Sequence, residues 1–176
     1  MENNRIIETP IESVPLVLDW DGICAYQQNR PPYLMIDAAH EVVPGISAKG
    51  HRLLREDEWF FSVHFPDDPN MPGMLQIEAL VQMAALTVLS LPGNPGKVVY
   101  ITRANNIKLS RKIIPGDRLE IETHLHSWKR GIGRCSGKGT VNGDTACEAD
   151  FNIVMPSILD QFRVSVPDSE LANNQD

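Results

Sequence analysis

The sequence predicts an α+β fold, in which an antiparallel sheet wraps around one long helix that is buried on all sides. Three observations lead there. Residues 74–91, MLQIEALVQMAALTVLSL, are apolar on nearly every helical face and poor in β-branched residues. Beyond them the apolar period changes from that of a helix to two, the period of half-buried strands. The strand-like runs are joined by tight-turn dipeptides such as Asn142-Gly143, a strong two-residue hairpin signal. A helix apolar all round needs a sheet that curls about it.

The elements follow in order. Residues 1–15 are largely polar, carry Pro10 and Pro15, and read as a flexible arm. Leu16–Tyr26 suits a short helix. In Asn29-Arg-Pro-Pro-Tyr33 each proline restricts its predecessor, which forces an extended or turned segment. Tyr33–Ile36 and Ile46–Leu54 read as strands, the second following the Pro44-Gly45 turn. The long helix spans Met74–Leu91, with Asn70 able to cap it, Pro72 in its first turn and Pro92-Gly93 stopping it. Val98–Ile114 is a long strand broken near Asn105-Asn106. Arg118–Trp128, Gly133–Val141 and Thr145–Met155 complete the meander, and Pro115-Gly116-Asp117 and Arg130-Gly131 supply turns. Residues 156–176 grow polar and read as a tail, leaving one domain over 16–155.

Composition narrows the class. A chain of 176 residues suits one domain with a real core. Its 42% hydrophobic and 22% charged residues are ordinary for a soluble globular protein. The N-terminus lacks the basic start and apolar stretch of a signal peptide. The longest uncharged run, Ala79–Gly96, is too short and too polar to span a membrane. Three cysteines, Cys24, Cys135 and Cys147, form no CxxC or metal-ligand spacing and read as reduced thiols of a cytoplasmic protein. A net charge of −7 argues against nucleic-acid binding. Yet residues 97–138 hold ten Lys/Arg against three Asp/Glu, a local balance of +7. That segment is either a solvated sheet face or a docking surface for an acidic partner.

Two residues stand out. Glu78 lies in the second turn of a helix otherwise built for burial, with Gln82 one turn further on the same face. A buried carboxylate is costly unless paired, hydrogen-bonded or protonated. His64 opens the run HFPDDPNMPG, where three prolines in ten residues make a stiff loop. From the residues alone, each reads as a structural or surface group or as a member of a site. His124 and His126 share a strand face, but two ligands without a third make a poor metal site.

The stretch HFPDDPNMPGMLQIEALVQM resembles the signature of the FabZ-type β-hydroxyacyl-acyl-carrier-protein dehydratases, H-F-P-x-x-P-x-M-P-G-x-L-x-x-E-A-x-x-Q. Spacing and identities agree from His64 to Gln82. Segments around Asp37, Ile114-Pro-Gly-Asp117, Lys129–Gly133 and Thr140–Gly143 extend the resemblance over roughly residues 27–155. Val63, Asp67 and Pro31 depart from the common pattern. The resemblance implies a hot-dog fold and a (3R)-hydroxyacyl group carried on the phosphopantetheine arm of acyl carrier protein. The product would be the trans-2-enoyl thioester plus water. His64 suits the base for the C2 proton, since imidazole titrates near neutrality. Glu78 suits the acid for the departing hydroxyl, because burial favours a protonated carboxyl. The Gly73 N–H, free at the helix N-terminus, suits the thioester oxygen. Gln82, Phe65 and Pro72 would support them, and Gln82 is placed to hold the Glu78 carboxyl.

No metal or organic cofactor is implied, nor any nucleic acid or membrane partner. Lys129, Arg130, Arg111 and Lys112 form the expected carrier-docking set. The expected assembly is a homodimer or a trimer of dimers, with His64 of one chain facing Glu78 of the next. The stiff loop and the roughly 9 Å along the helix from Pro72 to Glu78 make closure within one chain difficult. Two other readings remain: a hot-dog thioesterase, which would not need the HFPxxPxMPG loop, and a non-catalytic acyl-carrier-binding module. In the related isomerising dehydratases Asp usually takes the Glu78 position, so Glu favours dehydration alone.

Overall fold

The computed structural model describes residues 14–162. Strand β1 (Leu16–Leu18) leads into α1 (Trp20–Tyr26), then β2 (Ala38–Val43), β3 (Ser47–Leu53) and the long helix α2 (Gly73–Leu89). Four strands follow, β4 (Tyr100–Leu109), β5 (Arg118–Lys129), β6 (Ile132–Val141) and β7 (Asp144–Val154), then the short α3 (Pro156–Leu159). All seven strands form one antiparallel sheet in the order β1-β2-β3-β5-β6-β7-β4. This is the hot-dog architecture, with the sheet as the wrap and α2 as the filling.

The reason lies in side-chain chemistry. Every residue of α2 from Ala79 to Leu89 is buried, so the helix has no solvent face of its own. Alternate residues of β6, such as Cys135 and Val141, turn inward to it while Arg134 and Lys138 face out. The same alternation runs through β5, where Leu119, Ile121 and Thr123 are buried between exposed or half-buried neighbours. Gly50 on β3 lets the backbones close: a Cβ there would overlap the Ala38 carbonyl and come within 2.5 Å of Met83 Cε on α2.

Three expectations needed correction. Leu16–Tyr26 is a strand and a helix, not one helix. Leu16 and Leu18 pair with Val42 and Ala39, and Asp19 caps α1 by accepting from Gly22 N–H at 2.9 Å. Tyr33–Ile36 is not a strand. Leu34, Met35 and Ile36 are buried, but their backbone is held by other groups, as where Met35 N–H donates to the Gln82 side chain at 2.8 Å. The strand that pairs with β3 lies just beyond, at Ala38–Val43. Asn70 does not cap α2. Pro72 is the N-cap, and Asn70 Oδ1 instead accepts from Ile113 N–H at 3.0 Å.

The break in the fourth strand is present: its register with β7 shifts between Asn105 and Lys108, and Asn106 has a φ of 50°. Residues 156–162 form α3 and a 3-10 turn, fixed to the Arg130-Gly131 turn by Met155 N–H donating to Gly131 O. The arm over residues 1–13 and the tail over 163–176 lie outside the described residues.

Candidate active site

Helix α2 presents Glu78 to a cavity of about 490 Å³ that runs along the helix. Its other walls come from the 27–33 segment and from Lys97–Ile101 at the start of β4. Glu78 is half-buried, and burial is the largest influence on its carboxyl, pushing the pKa above the ordinary value. Hydrogen bonds from Gln82 and from the Tyr33 hydroxyl act the other way. Gln82, itself buried, is fully used. Its Nε2 donates to Glu78 Oε1 at 2.8 Å and to Tyr33 O at 2.8 Å, while its Oε1 accepts from Met35 N–H. One amide therefore fixes the carboxyl and ties the 33–35 segment to the helix.

His64 lies outside that cavity. Its Nδ1 donates to the Asn70 carbonyl at 2.9 Å, which leaves Nε2 as the ring nitrogen that can accept a proton. The ring stacks on Phe65, with centroids 4.3 Å apart, and Phe65 itself is exposed. Asn70 grips the histidine once more, its N–H donating to His64 O at 3.0 Å, and its side chain pins the loop to Ile113. An ion pair between Lys112 and Asp68 holds the loop's outer edge. Asn70 and Tyr33 were missed in the sequence as site neighbours. The proline run signalled a rigid loop, yet nothing in it showed which carbonyl would meet the imidazole.

At the start of α2, Pro72 supplies no capping side chain. Leu75 and Gln76 N–H both donate to Pro72 O, and the N–H groups of Gly73 and Met74 find no hydrogen-bond partner among the described residues. Gly73 borders a second cavity of about 300 Å³, with Asn70, Gln76 and the Leu109–Lys112 stretch. A Cβ at Gly73 would meet Leu109 Cδ1, so a larger residue there would have to push the exposed Leu109 side chain aside.

The single chain thus holds the candidate residues at two separate cavities. Glu78, Gln82 and Tyr33 share one cavity near the start of β4; Gly73 and Asn70, which holds His64, stand at another beside its end. The basic segment is divided too. Arg111 pairs with Asp117 and Asp144, at 3.5 and 3.8 Å, and Lys112 with Asp68. Lys129 and Arg130 are exposed at the β5–β6 turn, with Arg130 over the Phe162 ring. Cys135 and Cys147 are buried, and burial pushes both thiols up to about 12.

Residues 28–150 match the FabA-like domain. The chain belongs to the FabA-like family. Similar proteins include the 3-hydroxyacyl-[acyl-carrier-protein] dehydratase FabZ of Roseiflexus sp., 38% identical over 77% of this chain and 94% of that one. The FabZ of Bacillus subtilis is 34% identical over 79% of this chain and 99% of its own length. Among solved structures, the dehydratase heterocomplex ApeI:P from Xenorhabdus doucetiae superposes with a TM-score of 0.68, at 14% identity, over 85% of this chain and 97% of that one. A hypothetical thioesterase with coenzyme A from Streptococcus pneumoniae reaches 0.53 at 15% identity, over 66% and 83% of the two chains. These two structural likenesses concern the fold alone.

Proposed function

We propose that this chain is a hydro-lyase that converts (3R)-hydroxyacyl thioesters on acyl carrier protein to trans-2-enoyl thioesters in fatty-acid or related lipid synthesis. What supports the reading is that one chain carries, within the His64–Gln82 signature, a half-buried carboxyl at a cavity and a histidine whose Nδ1 is committed to a backbone carbonyl. His64 Nε2 takes the C2 proton, because Nδ1 is committed to Asn70. Glu78, kept toward its protonated form by burial, gives its proton to the leaving hydroxyl. The Gly73 N–H receives the growing charge on the thioester oxygen, helped by the α2 dipole. Water leaves, and the two residues exchange roles in the reverse direction.

The site needs a second copy of the chain. Strand β4 is the sheet edge, exposed along nearly its whole length, with Tyr100, Ile101, Ile107 and Leu109 showing apolar surface. Antiparallel pairing with another β4 sets the Tyr100 end of one chain against the Leu109 end of the next. The cavity of Glu78 uses the first end, and the groove of Gly73 uses the second. A two-fold dimer then brings Glu78 to the partner subunit's His64. Trimers of such dimers would repeat the same site. A cytoplasmic location fits the reduced thiols, and no described helix is long and apolar enough to cross a membrane.

The test is turnover of a (3R)-hydroxyacyl-carrier substrate by wild type, His64→Ala and Glu78→Gln. Each variant should lose about 10²–10⁴-fold in rate while remaining a folded oligomer. Near-normal turnover by either would remove that residue from the mechanism. Release of free thiol in place of enoyl product would instead point to hydrolysis.

A further inference from the structure

Gln27 follows the last turn of α1 and lines the cavity that holds Glu78. It is only 3% exposed, and its Nε2 has no hydrogen-bond partner among the described residues. An unmatched buried amide is costly, and folded proteins hold few of them. The backbone around it is firmly held. Gln27 N–H donates to Ile23 O, and Gln27 O accepts from Arg30 Nη1 at 2.8 Å. On either side, Tyr26 O accepts from Gly96 N–H at 2.8 Å and Gln28 Nε2 donates to Gly96 O at 2.6 Å.

Those bonds to Gly96 place Gln27 at the Leu89–Lys97 end of the cavity, away from Glu78. Along α2, Glu78 and Leu89 are about 16 Å apart. The wall between them is mostly apolar, with Val81, Ala85, Val98, Val99 and Ile101, while Gln28, Asn29 and Tyr100 also line the cavity. A channel with a reactive carboxyl at one end, an apolar middle and an unmatched amide at the other suits a chain of matching polarity. Lys97 stands at the far end as well, where its Nζ donates to Asn94 Oδ1 at 3.1 Å and keeps further N–H groups for an oxygen acceptor.

We propose that Gln27 is a specificity residue, whose amide hydrogen-bonds an uncharged oxygen carried far along the acyl chain and so selects oxygen-bearing acyl thioesters over plain alkyl ones. This rests on the dehydratase reading and on the cavity as the acyl site. The phosphopantetheine arm is the other source of such an oxygen. Its amides, however, would lie unmatched against the apolar middle of the channel.

The experiment compares two (3R)-hydroxyacyl chains of equal length, one fully alkyl beyond the reacting carbons and one with a keto group near its far end. Each is supplied as an N-acetylcysteamine and as a pantetheine thioester, to wild type and to Gln27→Leu. Wild type should favour the keto chain in kcat/KM by about tenfold or more in both thioester series, and Gln27→Leu should favour the plain chain. Equal turnover of the two chains by wild type, or preference for the plain one, overturns the role of Gln27 and leaves dehydration standing. That comparison does not depend on the variant folding. A loss in Gln27→Leu confined to pantetheine thioesters, whatever the acyl chain, also overturns it and puts the carrier arm at this end. No turnover of any thioester defeats the dehydratase reading and Gln27 with it.

Discussion

Glu78 stands between opposing influences, and in the proposed reaction their balance sets the pH range in which it serves as the acid. Burial raises its carboxyl; the Gln82 amide and the Tyr33 hydroxyl favour the charged form and hold the rise in check. An acid must hold its proton to give it, so turnover should fall as pH rises through the elevated pKa of Glu78. Tyr33→Phe removes one of the two bonds to the carboxylate and nothing else from the cavity wall. The pKa of Glu78 should then climb further, and the alkaline limb of kcat/KM against pH should move to higher pH. An unmoved limb, or one moved down, would separate Tyr33 from the reacting carboxyl. Gln82→Leu is a poorer probe, because Gln82 also holds Met35 and Tyr33 in place.

Between residues and the whole sheet, the strands carry a row of alternating charge. Glu41, Lys49, Glu122, Lys138, Glu148 and Lys108 face each other in turn across six strands. Lys49 bridges Glu41 and Glu122 at 3.2 and 3.5 Å, and Lys108 reaches Glu148 at 3.3 Å. Exposed pairs of this kind add little stability singly, but a one-residue slip of any strand would break the alternation, so the row favours the native register. The same row absorbs part of the basic segment, which is why that segment is not one continuous cationic face. Backbone closeness matters more to stability. Gly50→Ala puts a methyl against the Ala38 carbonyl and Met83, and should cost about 1–3 kcal/mol, read as a lower urea midpoint with an unchanged slope. A midpoint equal to wild type would mean that β2, β3 and α2 are less tightly joined than this geometry requires.

For the whole molecule the question is how the two cavities contribute to one proposed site. Mixing His64→Ala with Glu78→Ala, each inactive alone, and allowing subunits to exchange should restore activity to roughly a quarter of wild type. About half of randomly paired dimers are then mixed, each with one site that has both residues intact. No recovery despite demonstrated exchange would place the pair within a single chain. Partner choice belongs to this scale as well. With Arg111 and Lys112 already engaged by their own acids, the proposed docking of an acidic carrier would fall mainly to Lys129 and Arg130. Reversing both to Glu should raise KM for carrier-bound substrate while leaving small thioesters nearly unaffected, and high salt should act alike. Equal effects on both substrates would make the β5–β6 turn a plain solvated surface.

The sequence by itself determined the buried helix and the meander after it, and it singled out the residues proposed for the chemistry. Each of those is a local signal: apolar faces at helical spacing, alternation of period two, turn dipeptides, and a carboxyl out of place among Ala, Leu and Met. The signature from His64 to Gln82 also carried the family, since it is contiguous. Tertiary structure decided what depends on partners distant in the chain. Whether Leu16–Leu18 is helix or strand rests on Val42 and Ala39, and whether Tyr33–Ile36 is a strand rests on where Gln82 points. No local pattern reveals that Tyr33 meets Glu78, that Asn70 holds His64, or that Gln27 ends the cavity with an unmatched amide. Those contacts form only when the sheet closes on α2, where removal from water makes every polar group find a partner or wait for one.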